Sequence, residues 1–191
     1  VISVLYVETS GAYYGLEGVD PWDIHRDARK YTGTNPVVAH PPCARWCRFA
    51  KAVEARFGYR QGDDGKCFET ALFDVRRCGG VLEHPASSSA WKAFGIPRPS
   101  TTEWTPCPCG GWTTQVEQGM YGHPARKSTW LYVYGVTPPP MRWGKTPSDR
   151  IVARIGGPAI TKRNLPRLGA ASSKTPVEFR EVLLGIARSV K

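Results

Sequence analysis

An α/β fold, with a mostly parallel sheet flanked by helices, is predicted by three observations. Short apolar runs alternate with helical patterns, the runs stop at Gly/Pro-rich loops, and the best-defined helices each carry one apolar stripe. Ile2 to Val7 is a β-branched run ending at Glu8-Thr9-Ser10-Gly11, the pattern of a buried strand. Val37 to Ala39 is a second strand, halted by His40-Pro41-Pro42. Asp63 to Cys78 predicts a helix capped by Asp63 or Asp64, with Phe68, Ala71, Leu72 and Val75 on one face and Gly79-Gly80 ending it. Val81 to Glu83 is a third strand, and Ser87 to Phe94 a short serine-capped helix closed by Gly95 and Pro97. Thr114 to Glu117 and Thr129 to Tyr134 read as two more strands around a Gly/His/Pro loop. In the last helix Thr175 is the expected N-cap, Pro176 the first helical residue and Glu178 the partner in a capping box. Phe179, Val182, Leu183, Ile186, Ala187 and Val190 form its stripe.

With 191 residues, 41% of them hydrophobic, the chain can bury the core of one domain. No apolar run approaches the roughly 20 residues of a membrane span, and Val1 to Val7 is too short for a signal-peptide core and lacks its basic flank. A cytoplasmic protein without a membrane partner is expected. The net charge is +10, and residues 142–191 hold eleven Lys/Arg against three acids, so +8 of it lies in the last quarter. The expected organisation is a catalytic core at 1–136, a basic Gly/Pro-rich segment at 137–170 that lies along a phosphate backbone, and a C-terminal helix at 171–191 packed back on the core. DNA is the leading partner, with Arg142, Lys145, Arg154, Lys162, Arg163 and Arg167 as contacts.

The six cysteines show no regular disulfide framework, and reduced thiols are expected. Cys107-Pro108-Cys109 resembles half of a metal knuckle, but no second close Cys/His pair follows it. A plain turn is favoured over zinc.

Three strand ends carry unusual groups, and in a doubly wound sheet such groups converge on one crevice. The first loop offers Glu8, Ser10 and Gly11, the second His40, Pro41, Pro42 and Cys43, and the third Glu83, His84 and Pro85. Cys43 stands out as a nucleophile because the prolines stiffen its approach, Arg45 and Arg48 can favour a thiolate and bind DNA, and a carboxylate ends the next strand. His40 and His84 are expected to orient these loops rather than to ligate metal.

Val37-Val-Ala-His-Pro-Pro-Cys43 resembles the nucleophile loop of the DNA cytosine-5 methyltransferases, especially compact phage or prophage members. Val81-Leu-Glu83-His-Pro is similar to their strand ending in Glu. The stretch from Gln118 to Leu131 resembles their Gly-x-Pro-x-Arg-x-Arg strand, with Arg126 and Lys127 as the basic pair, and Trp22 to Asp27 resembles the segment whose Asp contacts the cofactor adenine. The resemblance spans residues 2–133. It implies a Rossmann-like, truncated methyltransferase-type core and S-adenosylmethionine as cofactor, held by Glu8, Ser10, Gly11, Asp20, Asp23 and Pro42. The departures are specific. Asp20 and Asp23 follow Gly15 almost at once, which leaves no room for the family's first helix and puts its second strand in question. The ribose-binding acid is therefore open among Glu8, Glu17 and Asp20, and the large recognition domain is absent.

The chemistry implied is addition of Cys43 to carbon 6 of a flipped-out cytosine, with Glu83 kept protonated by burial and bonded to N3, and Arg126 or Lys127 on the base oxygen. Two rivals share the sequence features: a pyrimidine C5 transferase with another donor or a free nucleotide, and an inactive DNA-binding accessory protein.

Overall fold

The computed structural model describes residues 1–47, 50–146, 151–152, 167–168 and 174–191, with side chains left out at 51–53, 151–152 and 167–168. Seven strands form one sheet: β1 (Ile2–Leu5), β2 (Val19–Trp22), β3 (Val37–Ala39), β4 (Gly80–Pro85), β5 (Thr105–Pro106), β6 (Trp112–Glu117) and β7 (Ser128–Tyr134). Their order is β2-β1-β3-β4-β7-β6-β5. The helices are α1 (Ala50–Phe57), α2 (Cys67–Cys78), α3 (Ser89–Ala93) and α4 (Val177–Arg188), and a separate parallel pair joins β8 (Ile151–Val152) to β9 (Arg167–Leu168).

The α/β class holds, but the sheet is mixed rather than mostly parallel. β2, β1, β3 and β4 pair in parallel, whereas β4 with β7, β7 with β6, and β6 with β5 are antiparallel and include the longest ladders. β6 and β7 are joined by a short connection through a 3-10 turn at Gln118–Tyr121, and a short connection favours an antiparallel return. β7 is thereby inserted antiparallel between β4 and β6.

β2 is a strand that the sequence pattern did not reveal. Its residues are Val-Asp-Pro-Trp, all half-buried, at the edge of the sheet, where a proline costs no ladder bond that an inner strand would need. The β1–β2 connection contains no helix, as the short spacing implied.

Both faces are covered. Leu5, Val37, Ala39, Leu82, Trp130 and Tyr132 pack against Phe68, Ala71, Leu72 and Val75 of α2 and Ala90 and Trp91 of α3. Val4, Val38, Val81, Leu131 and Val133, which alternate with them, meet Phe179, Leu183, Leu184, Ile186 and Ala187 of α4. Leu184 therefore joins the expected stripe. The capping box does not form: Pro176 occupies the cap position without a side-chain bond, and Thr175 lines the cleft described below. The cap of α2 comes from Asp64, whose Oδ2 accepts from Phe68 N at 2.8 Å and from Trp46 Nε1 at 2.7 Å. Gly80 opens β4 at φ +128°, where an added Cβ would lie 1.9 Å from the Val37 carbonyl oxygen, so only glycine lets β4 approach β3.

Cys107 and Cys109 are joined as a disulfide, against the expectation of reduced thiols. The turn closed by Cys107 O accepting from Gly110 N puts both side chains on one side. Cys43, Cys47, Cys67 and Cys78 are free. Among the described residues no group of three or more His, Cys, Asp or Glu could hold a metal ion, and no helix is long and apolar enough to cross a membrane.

Candidate active site

A cleft of about 950 Å³ opens at the carboxyl ends of β1, β3 and β4. Because β7 runs the other way, its first residues reach the same edge and deliver Lys127 and Ser128 to the cleft. Glu8, Ser10, Gly11, His40, Pro42, Cys43 and Glu83 line it together with Tyr13, Lys174 and Thr175. Tyr6 and Ser10, in the loop leaving β1, hold positive φ of 62° and 57°, which redirects the chain around the cleft mouth.

Cys43 begins a tight turn in which its carbonyl accepts from Trp46 N at 3.0 Å and Cys47 N at 2.9 Å. Trp46 anchors that turn through Asp64 and by accepting Ser89 N at 2.8 Å on its carbonyl, so α2 and α3 jointly fix the thiol's position. Burial, then the Cys47 thiol and the Glu83 carboxylate, push the Cys43 pKa above its ordinary value, while Lys127 pulls it down. Cys43 thus rests as a thiol. Arg45 does not favour the thiolate as expected: its Nε donates to Asp63 O at 3.2 Å and its guanidinium lies 3.8 Å from the Tyr59 ring centre. Arg48 lies outside the described residues.

Glu83 carries the most organised contacts of the site. Oε2 is 3.1 Å from His40 Nδ1 and Oε1 accepts from Gln118 Nε2 at 3.2 Å; the same amide also donates to Thr129 Oγ1 at 2.9 Å. His40 Nε2 is 2.8 Å from Tyr13 Oη. An ionised carboxylate only accepts, so Nδ1 carries the proton toward Glu83, and Nε2 shares a hydrogen bond with the tyrosine hydroxyl. Burial is the largest single influence on Glu83 and would raise its pKa. The His40 hydrogen bond, foremost, and the nearby Lys127 cation outweigh it, leaving Glu83 below the ordinary carboxylate value. This corrects the expectation of a protonated Glu83: the resting pair is thiol and carboxylate, not thiolate and acid. Burial pulls the Lys127 pKa down, and Glu83 and Cys43 pull it back, so the three groups share one field.

Of the basic pair only Lys127 faces the cleft, with Nζ also donating to Lys174 O at 3.4 Å. Arg126 is exposed and donates to Thr146 O at 3.2 Å. Asp20 and Asp23 are outside the cleft lining. Asp20 pairs with Arg26 and accepts from Trp22 Nε1 at 2.8 Å. Asp23 accepts from Tyr14 Oη at 2.7 Å, Thr9 Oγ1 at 2.9 Å and the amides of His25 and Arg26; these bonds, Tyr14's foremost, hold its pKa at about 2. Its carboxylate ties the Thr9–Tyr14 loop to the end of β2. Glu17 is exposed and away from the cleft, which leaves Glu8 as the acid at the end of β1 that lines it.

His84 is fully buried between Phe68 at 5.2 Å and Trp91 at 6.1 Å, and its ring faces the Pro41 and Pro42 carbonyls of the nucleophile loop, which raise its pKa against the larger effect of burial. Among the expected DNA contacts, Arg142 pairs with Glu178, donates to Met120 O at 3.0 Å and lies over Tyr121, whereas Lys145 is exposed. Arg154, Lys162 and Arg163 lie outside the described residues, and Arg167 is described only as backbone in β9. Tyr13 and Gln118 went unassigned from sequence: each is a single residue brought to Glu83 by a distant element, with no spacing to announce it. No protein-family model, curated protein or solved structure matches the chain.

Proposed function

We propose that the protein is a DNA cytosine C5-modifying enzyme, a methyltransferase-type transferase acting in the cytoplasm. The observation that carries the reading is the convergence of Cys43, Glu83 and Lys127 on one cleft at the ends of parallel strands. The parallel strands β1, β3 and β4, whose carboxyl ends carry the cleft, support a Rossmann-like, truncated methyltransferase core.

Carbon 5 of cytosine becomes nucleophilic only after a nucleophile adds at carbon 6. A duplex base must first leave the stack, at a cost of about a few kcal/mol. The Cys43 thiol then passes its proton to the Glu83 carboxylate, and the thiolate forms the bond to carbon 6. The ring's electron pair moves toward N3, which takes the proton from Glu83, while Lys127 stabilises charge on the carbonyl oxygen of the base. The resting thiol–carboxylate pair therefore holds the one proton that the addition needs. Once carbon 5 has taken the methyl group, its proton leaves to solvent as Cys43 departs as the thiolate, and N3 returns its proton through Glu83 to Cys43, which restores the aromatic ring and the resting pair.

The Glu8 carboxylate and the Ser10 hydroxyl, beside Gly11 and Pro42, offer acceptors and a donor that fit the hydroxyl and amino groups of a nucleoside donor. S-adenosylmethionine bound there supplies the methyl group. The position of Asp20 and Asp23 outside the cleft favours, as a second reading, a pyrimidine C5 transferase with another donor.

DNA containing 5-fluorocytosine tests the reaction, because fluorine blocks the final elimination. A covalent protein–DNA adduct with S-adenosylmethionine present is expected, and calorimetric titration should show saturable donor binding. Without transfer to carbon 5 the addition simply reverses, so the absence of both adduct and donor binding overturns the methyltransferase, and an adduct that forms only when a different donor is supplied selects the second reading.

A further inference from the structure

The turn that carries Cys43 continues into a surface that the catalytic reading does not use. Phe57 closes α1, Gly58 turns the chain at φ +69° with its amide on Glu54 O at 2.8 Å, and Tyr59 follows. A left-handed residue between them leaves both rings outside the core, 54% and 51% exposed. Their centres are 6.3 Å apart and their planes 32° from parallel. Among the described residues they are the exposed rings that touch each other. Each carries a guanidinium: Arg45 lies 3.8 Å from the centre of Tyr59 and Arg56 5.3 Å from that of Phe57. Arg60 is exposed next in sequence.

This surface is tied to the nucleophile. Arg45 stands two residues from Cys43 within the same turn, and its carbonyl accepts Gly62 N at 2.9 Å, which clips the Tyr59 strap to that turn. The local acids are Glu54, Asp63 and Asp64, of which Asp64 is already committed to Trp46 and Phe68. Three guanidinium groups interleaved with two adjacent rings match a strand of unstacked bases: rings take base faces and guanidinium groups take phosphates. About half of each residue's surface is left to solvent, and Arg45 and Arg56 stand over the rings until a base replaces them.

We propose that Phe57 and Tyr59, with Arg45, Arg56 and Arg60, form a stacking platform for single-stranded DNA flanking the base presented to Cys43. The partner class rests on the reading of the protein as acting on DNA, but the platform is tested without turnover. Fluorescence anisotropy of a labelled twelve-residue oligothymidylate is titrated with the full chain at several salt concentrations. Phe57→Ala with Tyr59→Ala should weaken binding about tenfold or more while leaving the slope of log affinity against log salt unchanged. Arg45→Ala with Arg56→Ala should flatten that slope by up to about two units. Phe57→Trp with Tyr59→Trp should retain or tighten binding, which separates stacking from a folding defect. Unchanged affinity on loss of both rings overturns the platform, as does tighter binding of a duplex or of oligouridylate. Ring-dependent binding without a 5-fluorocytosine adduct would sink the reaction and leave the platform standing; an adduct with ring-independent binding would do the reverse.

Discussion

His40 Nδ1 lies 3.1 Å from Glu83 Oε2, and this contact sets the charge of the site. Both side chains are largely withdrawn from solvent, at 14% and 13% exposure, where a carboxylate alone would favour its neutral form. The imidazole N–H reverses that preference, and Tyr13 fixes the imidazole through a hydrogen bond at its other nitrogen.

Glu83→Gln keeps the size of the side chain and cannot take a proton from Cys43. Folding should survive, because the Gln carbonyl accepts from Gln118 and its NH2 can donate to His40 Nδ1 once the imidazole proton moves to Nε2, facing the Tyr13 oxygen. Adduct formation with 5-fluorocytosine DNA should slow by about two orders of magnitude or more. A near-normal rate would remove Glu83 from the proton path.

His40→Phe removes the strongest influence holding the Glu83 pKa down. If the carboxylate is the reactive form, the rate is full above the Glu83 pKa and falls as pH drops through it. The acid limb of the pH–rate profile should therefore move to higher pH in His40→Phe, and in the same direction but less in Tyr13→Phe. An acid limb that stays in place in His40→Phe would show that Glu83 is not the group titrating.

The nucleophile and the cation can each be separated from a neighbour. Cys43→Ser should abolish the adduct and Cys47→Ser should leave it. Lys127→Ala should slow adduct formation by about one to two orders of magnitude, whereas Arg126→Ala should change it little, since its guanidinium is spent on Thr146 O. The reverse order would assign the carbonyl oxygen of the base to Arg126.

The parts of the site that were legible in the sequence share one property: they follow buried strands whose side chains are apolar on both faces. Val37 to Ala39 and Val81 to Leu82 announce themselves, and Cys43 and Glu83 are then found by position. β2 escaped because Asp20 and Pro21 break the apolar pattern at a one-sided edge. The antiparallel turn of β7 escaped because periodicity reveals a strand but not its direction. The charge of Glu83 was misread for a related reason: burial is legible in sequence, but the His40, Tyr13 and Gln118 contacts that answer it join residues 27 to 43 positions apart.

The buried His84 should make stability depend on pH in a way no surface residue does. Burial is the main cause that pushes its pKa down to about 4, from an ordinary value near 6.5. Between those values the unfolded chain binds a proton that the folded chain refuses, so stability rises with pH across the window. The stability present at pH 7 is lost as pH falls from about 6.5 to about 4, at up to about 1.4 kcal/mol per unit and on the order of 3 kcal/mol in all. Below about 4 both states carry the proton and the His84 contribution stops changing. Glu83 and Asp23 also lose stability in acid, but their folded values are depressed carboxylate values, so their losses begin at lower pH. Urea unfolding at pH 7 and at pH 5.5 isolates the histidine. His84→Leu, which suits a site walled by Phe68 and Trp91, should be less sensitive than the wild type to that change by about 1 kcal/mol. Equal sensitivity would mean that His84 titrates normally, and that its ring reaches a proton acceptor or water when the chain is folded.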